Sequence, residues 1–542
     1  MSKKPRLASN LTLGGEQAEA DPILEHAFFE SNDFRMIESR SEPRCFVVGR
    51  TGSGKSAAFQ QLQESNAKHT IRIDPEDLSL PYITDLQAVR YLDSLNVNLD
   101  LFWIALWKHV LIVEIIRHRY DVSNAQAKDR FMQSLREKLA KDPGKRAALD
   151  YLDEFEGRFW CETDERVREI ANSFTKRVGG EVGTPTGFPV GMKASADLEV
   201  VRQTKAEQAD RFQRIVNETQ LAKLNRMIEV LSEHILDDQH YTFVVIDDLD
   251  RDWVDEGLAN DLIRCLFRTV LDFKRVRNLR ILVALRTNIF QELDFGSRGG
   301  GQEEKYRALV LNMRWTKEGL VQMLDERIRY VSTTSGLDVS SIQALLPNTN
   351  RTMGNPVDYI LDRTLMRPRD AIAFVNECLA LGGGKSRLTW ENVKTAERSY
   401  SSKRLLALRD EWKLTYPGID KVFRIFNGVP ARMTRLDFEA RCDEVMMLLS
   451  EPDFAGVRWL TELSSNMWSP GEFSSFELYQ PLARTLFEIG LLGCNVRASA
   501  APAFFFDDPL LLEAESSFNS VEGFYIHRTY QRALDVQVSD RR

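Results

Sequence analysis

Residues 49–56 read Gly49-Arg50-Thr51-Gly52-Ser53-Gly54-Lys55-Ser56, a G-x-x-x-x-G-K-S loop entered from the apolar run Cys45-Phe46-Val47-Val48 and followed by a helical stretch from Lys55 to about Ser65. A strand, a glycine turn and a helix start in that order define a βα unit of a parallel sheet. Gly49, Gly52 and Gly54 let backbone N–H groups turn inward around a phosphate, and the helix start adds partial positive charge. Arg50, Thr51, Ser53 and Ala57 complete the expected phosphate cradle. Lys55 is expected to bridge the β- and γ-phosphates, and the Ser56 hydroxyl to ligate Mg²⁺. ATP and Mg²⁺ are therefore the expected cofactors, ATP being the common default among triphosphates.

A phosphate-bound Mg²⁺ needs a carboxylate at the end of a neighbouring strand, and Phe243-Val244-Val245-Ile246-Asp247-Asp248 supplies it. Asp247 is the expected metal partner, through water, and Asp248 the residue that orients and polarises the attacking water. Asp250 and Arg251 extend the acidic run, either as a local ion pair or as a contact with a neighbouring subunit. The strand Leu279–Leu285 runs into Arg286-Thr287-Asn288 at a position where phosphates lie. Arg286 or Asn288 would sense the γ-phosphate there; the alternative is that Thr287 or Asn288 caps the next helix. Arg298, in a glycine-rich loop, would serve as an arginine finger or simply ride a flexible segment. Arg367-Pro368-Arg369-Asp370 precedes the helix Ala371–Leu381, so Arg367 and Arg369 either reach a phosphate or pair with Asp370 on the surface.

Between these motifs, Thr70–Ile73 reads as a second strand. Residues 85–236 read as a long helical region, interrupted by a Gly- and Pro-rich loop at 179–192. Trp103 and Trp107, four apart, form either a core stripe or a ligand-stacking platform. The helix Glu256–Phe273 separates Tyr241–Ile246 from Leu279–Leu285. Apolar strands without alternation, separated by helices, indicate a parallel sheet covered on both faces.

The chain has 72 Lys plus Arg against 80 Asp plus Glu among 542 residues, a net charge of -8, so it does not condense on polyanions as a whole. Six dispersed cysteines lack zinc-ligand spacing and read as buried, reduced thiols. The apolar stretch Leu99–Ile116 carries Asp100, Lys108, His109 and Glu114, which argues for a buried helix and not a membrane span. With no apolar signal region at the start, a cytoplasmic protein is expected.

Taken together, GRTGSGKS, VVIDDLDR, ALRTNIF and MRPRDAIAFVNE resemble the KAP- and STAND-like P-loop ATPases of bacteria, a branch of the ASCE group. The segments AEADPILEHAFFES and LARTLFEIGLLG with FYIHRTYQRAL extend the resemblance over most of the chain. It implies an α/β P-loop NTPase with an additional-strand parallel sheet, Mg-ATP as ligand, a large helical insert, a helical lid and a C-terminal winged-helix-like domain. Relatives are linked to phage defence or DNA metabolism. One departure stands out: Asp248 occupies the place where many motor ATPases carry a glutamate, which suits slow hydrolysis and a switch better than a fast motor.

The expected organisation is a flexible leader over 1–20, the first half of the NTPase core over 21–84, a helical insert over 85–240, the second half of the core over 241–310, a helical lid and connector over 311–430, and the winged-helix-like domain over 431–542. Residues 401–542 hold 16 basic and 20 acidic side chains, which argues for a protein partner over duplex DNA. His527 reads as a packed or capping histidine rather than a base. The leading reading is an ATP-driven conformational or assembly switch, homo-oligomeric, acting on an effector supplied in trans. The alternatives are a nucleic-acid-stimulated motor or clamp, drawing on a charged run from Lys128 to Arg146, and a non-hydrolysing scaffold. Lys55→Ala is expected to abolish ATP binding by titration calorimetry; binding at undiminished affinity would remove the phosphate assignment.

Overall fold

The computed structural model of the chain describes residues 6–74, 99–120, 133–134, 136–137, 210, 221–249, 256–293, 303–468, 476–497 and 500–537. Outside the described residues lie the 179–192 stretch, Cys161, Asp250, Arg251, Arg298 and, apart from Arg136, the basic residues of the charged run. The chain forms two compact units. One comprises Asn32–Arg50 with Ala58–Met313, the other Met1–Ser31, Thr51–Ala57 and Arg314–Arg542.

The first unit is α/β. After α1 (Asn32–Glu38) come β1 (Phe46–Gly49), α2 (Lys55–Ser65, of which the part from Ala58 belongs to this unit) and β2 (Thr70–Ile73), then α3 (Asp100–Tyr120) and α4 (Ala222–Val230). They are followed by β3 (Thr242–Ile246), α5 (Glu256–Phe273), β4 (Leu279–Arg286), α6 (Thr287–Glu292) and β5 (Val310–Asn312). The five strands make one sheet in the order β2-β3-β4-β1-β5, every pair parallel. An additional strand, β4, thus separates the strand that feeds the glycine loop from the one that ends in the acid pair.

Uninterrupted apolar strands need cover on both faces, and α3, α4 and α5 contribute side chains to the sheet's hydrophobic core. Phe46 of β1 stacks on Phe267 of α5 with ring centroids 3.5 Å apart. Trp103 and Trp107 are fully buried in this core, and the Trp107 indole donates to Leu262 O at 2.9 Å, so the pair is core and not a stacking platform. The charges of this apolar helix are answered by partners: Asp100 pairs with Arg264 at 2.5 Å and Lys108 with Asp272 at 2.6 Å. No described helix is long and apolar enough to cross a membrane. All five described cysteines are buried and free, and burial pushes the Cys45 and Cys494 thiols up to about 12.

The second unit is mainly helical. Its helices are α7 (Lys317–Ser335), α8 (Pro356–Leu361), α9 (Pro368–Ala380), α10 (Trp390–Trp412), α11 (Ile419–Ile425), α12 (Arg435–Met447), α13 (Arg458–Trp468) and α14 (Gln480–Glu488). Antiparallel strands β6 (Leu492–Asn495) and β7 (Gly523–Ile526) close the far core, where Phe438 stacks on Phe524 at 3.9 Å. His527 is buried, its Nδ1 2.9 Å from Thr529 Oγ1 and its ring edge-on to Phe504, a packed histidine.

The N-terminal segment departs from the flexible leader that its composition suggested. Leu7 and Leu13 are buried among α7, α9 and α10, the Leu13 N–H donates to Asn376 Oδ1 at 2.8 Å, and Arg327 Nη1 donates to Leu13 O at 2.7 Å. Arg327 also pairs with Asp21 at 2.7 Å. The bend that permits this sits at Gly14, whose φ of +101° leaves no room for a Cβ, since one would lie 2.3 Å from Asp21 Oδ1. Two isolated leucines carry no periodicity, so the pattern did not show the packing. Leu13→Ala is expected to destabilise the helical unit by about 2–5 kcal/mol in denaturant unfolding; a change within about 0.5 kcal/mol, the range of an ordinary surface position, would contradict the packed segment.

Candidate nucleotide-binding site

In a parallel sheet every strand ends at the same edge, so the polar residues that follow β1, β3 and β4 emerge together. Gly49 is in register with Arg286, and Ile246 with Val283, so the start of the glycine loop, Arg286 and the Asp247–Asp248 pair lie along one edge of the α/β unit. Asp247 is buried at 4% exposure; its Oδ1 accepts the backbone N–H of Asp248 at 3.0 Å, while Oδ2 is buried with no hydrogen-bond partner among the described residues. A carboxylate oxygen in that state is costly unless a cation or water meets it, which is the donor chemistry a phosphate-bound Mg²⁺ requires. Asp248 holds a left-handed backbone at φ 58°, a region that Asp tolerates better than most side chains. Arg72, at the end of β2, lies 3.6 Å from Asp248 Oδ2 and 3.1 Å from Asp74 Oδ1.

Arg286 ends β4 and serves as the N-cap position of α6 without a side-chain cap bond, so neither Thr287 nor Asn288 caps that helix. Asn288 is the second residue of α6 and half-buried. Arg50 follows β1 directly, and Lys55, Ser56 and Ala57 open α2 as half-buried residues.

The loop from Thr51 to Ala57 takes its contacts from the helical unit. Gly52 and Gly54 have φ of +81° and +96°, and a Cβ on Gly52 would fall 2.9 Å from Arg369 Cβ. Glycine is required at both positions for conformation, and at Gly52 for space as well. Thr51 Oγ1 and Ser53 Oγ are buried with no hydrogen-bond partner among the described residues, which leaves two hydroxyls able to donate to an anion. The carbonyls face the other way. Arg367 Nη1 donates to Thr51 O at 2.9 Å, and the Trp315 indole to Ser53 O at 2.8 Å.

Arg367 is aimed by Met366, which holds a left-handed φ of 53°, and by Pro368 at the first turn of α9. Its guanidinium meets Asp370 at 2.9 Å and Glu411 at 3.3 Å, besides Thr51. The phosphate contact expected of Arg367 would mean releasing these partners. Arg369 lays its stem on Gly52 and donates from Nε to Glu16 O at 3.0 Å. Burial lowers its pKa, and neighbouring Arg367 adds to that. Arg404 links Glu16 at 2.6 Å to Asp370 at 3.3 Å. Burial alone would raise the Asp370 carboxyl, but Arg367 and Arg404 outweigh it and hold the group at about 2.

Sequence reasoning missed Arg72, Glu16, Trp315, Arg404 and Glu411. Only Arg72 carried a signal, as a lone cation at the end of an apolar strand. The others reach the loop, Asp370 or the arginines around it from distant positions in the chain.

Residues 318–409, from α7 through most of α10, match a family model described as the FunZ-associated C-terminal helical domain. An 80.3 kDa protein ascribed to transposon gamma-delta in Escherichia coli (strain K12) is 22% identical over 553 residues, covering 96% of this chain and 67% of that protein. The chain also shows a likeness to the structure of the Aeropyrum pernix Orc1 protein in complex with DNA, at 13% identity and a TM-score of 0.30 over 92% of this chain and 94% of that one. At that score the fold rests on the strand order alone.

The buried Asp370 cluster gives a signed pH dependence. Its folded carboxyl is depressed below the ordinary value, so its stabilisation is present above about pH 4 and lost as pH falls toward about 2. Asp370→Asn is expected to cost about 3 kcal/mol at neutral pH, because two buried guanidinium groups lose a charge partner. The gap between variant and wild type then narrows in unfolding curves taken below pH 4; a gap that widens there would contradict the assignment.

Proposed function

We propose that the chain is an Mg²⁺-dependent ATPase whose nucleotide state switches conformation or assembly and is passed to a separate effector protein. The observation that carries this reading is the sheet order: a glycine loop leaves β1, an acid pair leaves β3, and Arg286 ends the strand between them. In this reading Lys55 neutralises phosphate charge and the loop N–H groups of Gly52, Ser53 and Gly54 hold the phosphate oxygens. Ser56 and Asp247 would hold Mg²⁺, which supplies charge neutralisation for phosphoryl transfer. Asp248 would accept the proton of the attacking water at Oδ2, and Arg72 competes for that oxygen, in keeping with slow turnover. Arg286 or Asn288 would register the γ-phosphate, and Arg369, whose stem lies against Gly52, would act as a lid arginine.

The KAP- and STAND-like kinship, homo-oligomerisation, a cytoplasmic setting, a role in phage defence or DNA metabolism, and a winged-helix-like identity for α11–α14 with β6 and β7 belong to the same proposal. A second reading, a nucleic-acid-stimulated motor or clamp, draws on the similarity to a protein ascribed to a transposon. The excess of acidic side chains after Ser401 weighs against direct duplex binding by the C-terminal part.

Turnover separates these readings. Asp248→Asn is expected to lower kcat by at least about 100-fold with ATP binding retained in calorimetry. Equal turnover in variant and wild type would remove Asp248 from the reaction. A large rise in wild-type rate on adding DNA would favour the motor, and ATP bound without any turnover would leave the scaffold.

A further inference from the structure

Three consecutive loop carbonyls are held by the helical unit. Arg367 Nη1 reaches Thr51 O at 2.9 Å, the backbone N–H of Arg369 reaches Gly52 O at 3.5 Å, and Trp315 Nε1 reaches Ser53 O at 2.8 Å. A trans peptide is planar, with its C=O and N–H pointing to opposite sides. Holding the carbonyls of Thr51, Gly52 and Ser53 toward the helices therefore turns the N–H groups of Gly52, Ser53 and Gly54 the other way. That is the orientation in which successive amides converge on an anion.

The three donors come from two elements. Trp315 stands just ahead of α7, its N-cap residue Thr316 intervening, and Arg367 and Arg369 flank the first turn of α9. The indole edge also lines the open side of Gly54, with Trp315 Cζ2 and Pro368 Cγ each 4.0 Å from where a Cβ would be. Phe29 backs the ring, with centroids 6.0 Å apart. Trp315 is thus a half-buried aromatic whose one polar atom is committed to the loop backbone.

We propose that Trp315, together with Arg367, is a positioning residue for phosphate binding: the helical unit sets the loop amides through the carbonyls, so nucleotide affinity and the packing of α7 and α9 are coupled. The inference rests on the nucleotide reading above and adds a route by which that site is regulated. Coupling of this kind is reciprocal, so a ligand that needs the amides inward also tightens the helices that hold them.

Arg367→Ala would strip buried Asp370 and Glu411 of a cation and endanger folding. Trp315→Phe removes only the indole N–H and keeps an aromatic ring, so it is the variant to test. The full chain is titrated with the non-hydrolysable analogue adenylyl imidodiphosphate and Mg²⁺ by calorimetry, and amide hydrogen exchange is followed with and without the analogue. Loss of one neutral hydrogen bond is expected to weaken affinity about three- to tenfold, with the melting temperature of the free protein unchanged. In the wild type the analogue slows exchange in α7 and α9, and in Trp315→Phe the slowing in α7 is lost while that in α9, still tied through Arg367, remains. Equal affinity, or slowing of α7 retained in the variant whatever its melting temperature, overturns the coupling alone. A wild-type protein that binds no analogue overturns the nucleotide reading and this inference with it.

Discussion

Parallel pairing of β1 with β4, and of β4 with β3, is the constraint on which the α/β unit's chemistry depends. It fixes the direction in which each strand ends, so Gly49, Asp247 and Arg286 reach one edge although nearly 200 residues separate the first from the second. Had any one of these strands run antiparallel, its terminal residues would lie at the opposite edge, about 15 Å away for a five-residue strand. The apolar faces of α3, α4 and α5 pack in the same core as the strands, where Trp103, Trp107 and Phe267 are fully buried.

From Thr51 to Ala57 the glycine loop belongs to the helical unit. Its amides can converge on a phosphate only if its carbonyls are satisfied on the far side, and the helical unit provides those partners. Behind them stands a buried cluster in which Asp370 holds Arg367 and Arg404, with Glu411 and Glu16 completing the charge balance. Such a cluster is costly to assemble and costly to break, which suits an element that must hold one geometry until a ligand acts on it.

The parts of this architecture legible in the sequence were those written locally. A glycine loop between an apolar run and a helix, and Asp247-Asp248 after Val244-Val245-Ile246, announce themselves within ten residues. The strand expected at Leu279–Leu285 followed from an apolar run interrupted only by Arg280, and β4 extends it by one residue. What stayed hidden was set by distance along the chain: Ser53 meets Trp315 across 262 positions and Arg404 meets Glu16 across 388. No periodicity encodes such pairs. The N-terminal segment failed for the opposite reason, because its polar, glycine-containing composition describes its exposed residues faithfully while Leu7 and Leu13 do the packing. The arginines of the Arg367–Asp370 motif were found as charges near a helix start, but their division into one that grips the loop backbone and one that lies along Gly52 follows from tertiary contacts alone.

In the proposed site a triphosphate and its metal would be held together at the edge where β1 and β3 end, with Asp247 among the residues that hold the cation. Electron paramagnetic resonance with Mn²⁺ in place of Mg²⁺ tests this directly. One Mn²⁺ is expected to be held per chain when ATP is present, with little held without it and the bound signal lost in Asp247→Ala. Mn²⁺ bound equally well by that variant in the presence of ATP would contradict it.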